Sequence, residues 1–338
     1  MDELNDESSV VLCRVDESMI RGCEKEGLAV KIDLKSKFTG ALIGSAVGDA
    51  LGAPVEGWSM ERVRSVYSER KLWKMSYGCY TDDTELMIGV AESLIKNKGF
   101  NGADMARTFV RNYDAKRGYG PGSTGALKRI KEGESWDEAS KKLFGGEGSY
   151  GNGAAMRIAP IGLFYYDNAD VLREIAYKSS LITHSHELGK AGAALQAFAV
   201  ALAVRGQKES MLSELKNFAQ NNVYKEKIRR IETLLDKDAT KKEIIAKLGN
   251  GMAAFNSVPT AIYSFLRFDR FEDSVIYAIS LGGDTDTIGA MTGAISGAYY
   301  GDGAIPNEWI EQLEDGEKGK SYIKRLAEEL YVAKDYNP

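Results

Sequence analysis

Glycine recurs at every fourth position in two separate stretches, at Gly40, Gly44, Gly48 and Gly52 and again at Gly289, Gly293, Gly297 and Gly301. Residues four apart share one face of an α-helix. Each glycine in a helix interior costs about 1 kcal/mol relative to alanine, so two such stripes need a compensating reason. Close approach of two backbones supplies one, by the small-residue logic known from membrane helices. The pattern predicts two helices packed tightly in the core, with whatever stands at their ends drawn towards a shared place.

Helical spacing extends over most of the chain. Leu86, Met87, Val90, Ala91, Leu94 and Ile95 recur on one helical face, as do Met105, Phe109 and Val110, and Ile228, Ile231, Leu234 and Leu235. Ala191–Val204 is apolar all round and reads as a central buried helix. Pro54, Pro121 and Pro160 fall where helices should stop or turn. Charged tracts such as Lys225–Arg230 and Lys241–Glu243 read as solvated helix faces. Residues 1–36 differ, because Val10–Val15 and Leu28–Leu34 carry strand signals. The expectation is an all-α fold with one large helical domain over 37–338. A small β-leaning extension over 1–36, possibly folded as a β-hairpin, precedes it.

Composition narrows the function. A net charge of −5 argues against a protein held to nucleic acid by phosphate contacts. Cys13, Cys23 and Cys79 form no C-x-x-C pair, and with only 2 His a closed zinc site is out of reach. Few cysteines fit a reducing interior. The acidic first residues lack the pattern of a signal peptide. The apolar stretches Ala191–Val204 and Ile288–Tyr300 read as too short to span a bilayer. A cytoplasmic protein without membrane or direct nucleic-acid partners, acting as a monomer, is the expectation.

Acids gather where helices begin. Thr81-Asp82-Asp83-Thr84-Glu85 precedes the apolar run from Leu86, and Gly282-Gly283-Asp284-Thr285-Asp286-Thr287 precedes the second glycine stripe. Asp49 and Glu56 flank the end of the first stripe. Helix capping accounts for either cluster alone, since Asp and Thr accept from free N–H groups and complement the dipole. Two clusters hold more acid than caps need. Brought together, Asp82, Asp83, Asp284 and Asp286 would repel without a cation, and oxygen ligands from Asp and Thr suit Mg²⁺ before Mn²⁺ or Ca²⁺. Capping and a two-metal site both stand as readings of the residues.

Two glycine-rich loops, 117–124 and 145–153, are able to cradle a phosphate with backbone N–H groups or to be plain surface turns. Neither is a P-loop or a Rossmann fingerprint. Phe144 and Tyr150 could stack on a base or sit in the core. His184 reads as a ligand contact or a helix-start hydrogen bond, and His186 as structural or exposed. A Ser-His-Asp triad has no Gly-x-Ser-x-Gly elbow to support it.

The segments Gly44–Gly52, Tyr80–Thr84, Gly148–Arg157, Thr183-His184 and Ser280–Thr287 occur in the order found in the ADP-ribosylglycohydrolase family, which the chain resembles over roughly residues 37–330. This family includes the dinitrogenase reductase-activating glycohydrolase type. Gly148–Arg157 and Asn250–Leu266 look closest to the branch that cleaves O-linked ADP-ribose from serine and from poly(ADP-ribose), with the arginine-directed branch more distant. The resemblance implies an all-α, orthogonal helical domain with a binuclear Mg²⁺ centre, Mn²⁺ being an alternative. It implies Glu56, Thr81, Asp82, Asp83, Asp284, Asp286 and Thr287 around the metals. Gly118, Phe144, Gly148, Ser149, Tyr150, Gly151, Asn152, His184 and Met252 are implied as the lining for ADP-ribose. Residues 1–36 have no recognised counterpart.

The implied reaction is hydrolysis at C1″ of the distal ribose through an oxocarbenium-like state, releasing ADP-ribose from an ADP-ribosylated protein or from O-acetyl-ADP-ribose. Glu56 would be the general acid or base, with Asp82 or Asp83 sharing that work. Three competing readings are an ADP-ribosyl-arginine hydrolase, a Mg²⁺-dependent phosphohydrolase and a non-catalytic ADP-ribose binder. The presence of all six expected Thr and Asp ligand positions favours catalysis over the last.

Overall fold

The computed structural model describes residues 33–67 and 78–335. Those residues are helical with no strand among them, only one isolated bridge between Gly151 and Ala253. The expected strand at Val10–Val15 lies outside the described residues. So does Leu28–Ile32, and Leu34, the last residue of that second expected strand, opens a helix instead. Six helices build the site: α1 (Leu34–Gly52), α2 (Asp82–Asn97), α3 (Pro121–Lys131), α4 (Glu187–Val204), α5 (Ala254–Arg267) and α6 (Thr285–Tyr300).

The glycine stripes do what their spacing requires. A methyl built on Gly40 would stand 2.4 Å from the Gly297 carbonyl oxygen, one on Gly44 2.4 Å from that of Gly293, and one on Gly48 2.1 Å from that of Gly289. Gly52 meets Thr285 in the same way at 2.3 Å. Helices α1 and α6 therefore run antiparallel, backbone against backbone, and no side chain fits between them. Gly301 is the exception, since it lies past the end of α6 with φ +77°, where it turns the chain. The antiparallel order sets the C-terminal end of α1, with Asp49, beside the N-terminal end of α6, with Asp284 and Asp286.

Helix α4 is the buried central helix, longer than Ala191–Val204 and capped by His186, whose Nδ1 accepts from the Leu188 N–H at 3.1 Å. Two helical stretches, Leu34–Val55 and Glu187–Val204, have the length and hydropathy to cross a bilayer, but 89% and 83% of their most apolar 18-residue segments are buried inside the fold. This corrects the view that no apolar stretch is long enough, and packing inside the protein explains both. Pro121 and Pro160 open helices rather than ending them, because the first turn needs no proline N–H. Two lysines leave the solvated faces expected of their tracts. Lys227 Nζ donates to the Leu248 carbonyl at 2.5 Å and Lys241 Nζ to Ser280 Oγ at 2.6 Å.

Candidate functional site

The α1–α6 contact brings the two acid clusters to one cavity of about 570 Å³, whose floor includes Glu56, Thr81, Asp82, Asp83, Asp284, Asp286 and Thr287. Carboxylate oxygens of Glu56, Asp284 and Asp286 lie within 4.8 Å of one another, a grouping able to hold a metal ion. Asp82 and Asp83 line the same floor outside that grouping. Thr287 Oγ1 donates to Asp83 Oδ1 at 3.4 Å and so joins the clusters.

Local folding explains each placement. Thr81 caps α2 by accepting from the Asp83 N–H, which leaves Asp82 and Asp83 in the first turn. Gly282 and Gly283, with φ +68° and +78°, turn the chain into α6, and a side chain at Gly283 would stand 2.1 Å from the Asn250 carbonyl. Asn250 holds this turn by donating to the Leu281 and Gly282 carbonyls, both at 3.0 Å. Gly57 N–H donates to the Gly283 carbonyl and Gly283 N–H to the Trp58 carbonyl, each at 2.8 Å, so the segment carrying Glu56 is pinned to the Asp284 turn.

Asp49 plays a part its place in the sequence did not reveal. It is fully buried and accepts from the Thr81 N–H, the Thr84 N–H at 3.1 Å and Thr84 Oγ1 at 2.6 Å. One carboxylate on α1 therefore fixes the start of α2.

The electrostatics disfavour so many negative charges. Burial, then Asp49, pushes Asp82 up to about 8. Burial, then Asp286, raises Asp83 well above the carboxylate range. Burial, then Asp284, raises Asp286. Loss of solvent raises Glu56, with Asp284 adding to it, and burial raises Asp284. Asp49 is pushed by burial to about 6 despite the hydrogen bonds it accepts from Thr81 and Thr84. Among the described residues no lysine or arginine forms an ion pair with Asp82, Asp83, Asp284 or Asp286, and the buried Asp83 Oδ2 has no hydrogen-bond partner. An all-oxygen set with an orphaned carboxylate oxygen and no counter-ion fits a hard divalent cation.

The walls are the two glycine loops. Gly118 and Gly120 lead into α3, whose first turn holds Gly122 and Ser123 and whose N-terminal end faces the cavity and suits an anion. Phe144, Glu147, Gly148, Ser149, Tyr150, Gly151 and Asn152 form the opposite wall with Met252. This second loop is stitched down by Asn152 N–H to the Met252 carbonyl at 2.9 Å and Ala254 N–H to the Tyr150 carbonyl at 3.0 Å. Neither loop is therefore a plain surface turn. Phe144, Tyr150 and Met252 are 55%, 52% and 69% exposed, so these apolar groups stand at the mouth and not in the core. Phe144 holds φ +52°, a left-handed conformation uncommon for a non-glycine residue. Asn152 spends its amide on the protein, donating to Asp284 Oδ2 at 2.5 Å and Ser257 Oγ at 3.0 Å, and thereby braces the acid floor.

His184 lines the cavity, and the helix start beside it is capped by His186 instead. Residues not singled out from sequence also line it, notably Arg117, Ser123 and Met156. Arg117 is held by Glu314, by the Tyr80 carbonyl at 2.8 Å and over the Tyr80 ring at 4.0 Å. Its partner Glu314 is 197 positions away, and no local signal announces that pairing.

Comparison with known proteins agrees with this geometry. A family model described as ADP-ribosylglycohydrolase matches residues 31–337. The chain is 37% identical to the ADP-ribosylhydrolase ARH3 of Bos taurus, across 88% of this chain and 93% of that protein. It is also 37% identical to the Homo sapiens ADP-ribosylhydrolase ARH3, across 84% and 90%. A solved structure titled ADP-ribosylglycohydrolase-related protein complex superposes with a TM-score of 0.70 at 31% identity, covering 89% of this chain and 99% of that one.

Proposed function

The chain belongs to the ADP-ribosylglycohydrolase family, and from that premise we propose that it is a hydrolase releasing ADP-ribose from acceptors joined through oxygen at C1″. Serine-linked ADP-ribose, poly(ADP-ribose) and O-acetyl-ADP-ribose are the substrates in view. The observation that carries this reading is the convergence of Glu56, Asp284 and Asp286 with Asp82 and Asp83 on the floor of a cavity walled by two glycine loops.

The residues lining the cavity support the following assignment. The α3 N-terminus and the Gly148–Asn152 loop would receive the diphosphate, Phe144 and Tyr150 would flank the adenosine, and the distal ribose would rest on the acid floor. Glu56, Thr81, Asp82, Asp83, Asp284, Asp286 and Thr287 would hold two Mg²⁺ ions, with Mn²⁺ as a substitute. Such ions supply Lewis-acid orientation of sugar hydroxyls and charge stabilisation. An alkoxide is a poor leaving group, so cleavage of an O-link needs a proton donor. Glu56, its carboxyl raised by desolvation and then by Asp284, is suited to supply that proton. Asp82 or Asp83 takes the proton from the attacking water as positive charge develops on the ring. The enzyme acts as a monomer in the cytoplasm, without membrane or nucleic-acid contact.

The test is a panel of serine-linked, arginine-linked and polymeric ADP-ribose, each incubated with and without Mg²⁺. Release of intact ADP-ribose from the O-linked substrates in the presence of the ion is expected. Selective release from arginine would move the enzyme to the other branch, and release of AMP would point to phosphohydrolysis.

A further inference from the structure

Arg157 is fully buried, and no carboxylate pairs with it among the described residues. Nη1 donates to the Gly153 carbonyl at 3.1 Å and to Thr183 Oγ1 at 2.6 Å, and Nη2 donates to the Ser179 carbonyl at 3.2 Å. The guanidinium carbon lies 4.8 Å from the Phe109 ring centroid. Guanidinium donates and never accepts, so Thr183 Oγ1 must spend a lone pair on Arg157. The same oxygen lies 2.7 Å from His184 Nδ1.

That geometry decides where the imidazole proton sits. If Nδ1 carried a hydrogen, Thr183 Oγ1 would accept twice, and its own hydrogen would need an acceptor that no other described residue provides. With Nδ1 bare, Thr183 O–H donates to it, and Thr183 Oγ1 and His184 Nδ1 are both satisfied. An orphaned buried donor biases such an equilibrium by about tenfold or more. The proton is then on Nε2, which has no hydrogen bond to a described residue and borders the cavity. Three glycines keep that edge of the ring open. A methyl at Gly153 would stand 2.9 Å from Nε2, one at Gly151 3.4 Å and one at Gly122 3.7 Å.

We propose that Arg157 is a positioning residue acting through Thr183: it fixes His184 as the neutral Nε2–H tautomer, which offers the cavity one N–H donor between the two glycine loops. The oxygen it meets is one of ADP-ribose, and in that respect only the inference rests on the function proposed above. Burial, then the charge of Arg157, lowers His184 to about 3, which agrees with a ring that stays uncharged. Thr183 and Arg157 thus belong to ligand recognition although neither touches the ligand.

The protein has only two histidines, so ¹⁵N-histidine NMR of the ligand-free protein reads the tautomer directly. His186→Asn, which keeps a favoured N-cap residue, leaves His184 alone in the spectrum. The expected signals are an unprotonated Nδ1 and a protonated Nε2 at neutral pH. Thr183→Val should broaden or mix the tautomers and weaken ADP-ribose binding by about tenfold, with KM rising more than kcat falls, and Thr183→Ser should restore both. Arg157→Met should mix the tautomers as well, and if it fails to fold, the Thr183 pair still decides. A protonated Nδ1 in the wild type, or an unchanged tautomer in Thr183→Val, overturns the proposal. Mixed tautomers with unaltered ADP-ribose affinity overturn its recognition half. A wild type with the expected spectrum that does not bind ADP-ribose rejects the proposed ligand while the tautomer assignment stands.

Discussion

Replacing Gly48 with alanine sets two effects against each other. In an unencumbered helix the change gains about 1 kcal/mol from helix propensity. Here the new methyl would stand 2.1 Å from the Gly289 carbonyl oxygen and 2.4 Å from its carbon, where ordinary contact begins at 3.4 Å. Both obstacles are backbone, so no rotamer change relieves them and α1 and α6 must part by about 1 Å. Overpacking costs about 1–3 kcal/mol, occasionally more. Rigid backbone on both sides places this case at the upper end, leaving a net loss of about 2 kcal/mol after the propensity gain. At about 2–4 °C per kcal/mol for a domain approaching this size, Tm should fall by about 5 °C. Parting these helices also moves Asp49 away from Asp286, so the cation-induced rise in Tm should shrink. Gly125→Ala is the control, because its methyl would meet only the flexible Leu143 side chain, at 3.1 Å. The assay is thermal unfolding by circular dichroism with and without Mg²⁺. If Gly48→Ala melts as high as the wild type or higher, backbone contact is not what the stripes are for.

Asp49→Ala should cost about 2–4 kcal/mol by leaving the Thr81 and Thr84 donors buried without an acceptor, and it should reduce turnover more than ADP-ribose affinity. Urea unfolding and calorimetric titration read the two parts. Glu56→Gln should lower kcat on a serine-linked substrate by about 10²-fold or more while ADP-ribose still binds, and an unchanged kcat moves the proton donor elsewhere. The cation-free protein should lose stability as pH rises from about 4 to about 8. Asp82 is raised from 3.8 to about 8 by folding, so the native state holds its proton through that window while the unfolded chain releases it, and the contribution is complete only below the unfolded value. Added Mg²⁺ should flatten this slope, which denaturant midpoints at stepped pH would measure.

The glycine stripes were legible because a period of four on a costly residue has few explanations, and their antiparallel contact sets the acids together as expected. The acid clusters were legible as excess beyond capping. Asp49 was visible as a flanking acid only, since its partners lie 32 and 35 positions away and no local pattern links them. Arg157 and Thr183 stood inside or beside quoted motifs, yet their link to His184 depends on a buried hydrogen-bond chain between residues 26 apart. Asn152 lines the cavity as expected of a ligand contact, but the bracing of Asp284 by its amide has no local signal. Long-range polar pairing, set by tertiary packing, separates what was read from what was missed.

The central claim is that Glu56 and the acids at the starts of α2 and α6 converge to hold divalent cations beneath the sugar. Anomalous diffraction from a crystal grown with Mn²⁺ addresses it directly. The account predicts two peaks bounded by Glu56, Thr81, Asp82, Asp83, Asp284, Asp286 and Thr287. An ordered, unoccupied acid floor at saturating Mn²⁺ would contradict it.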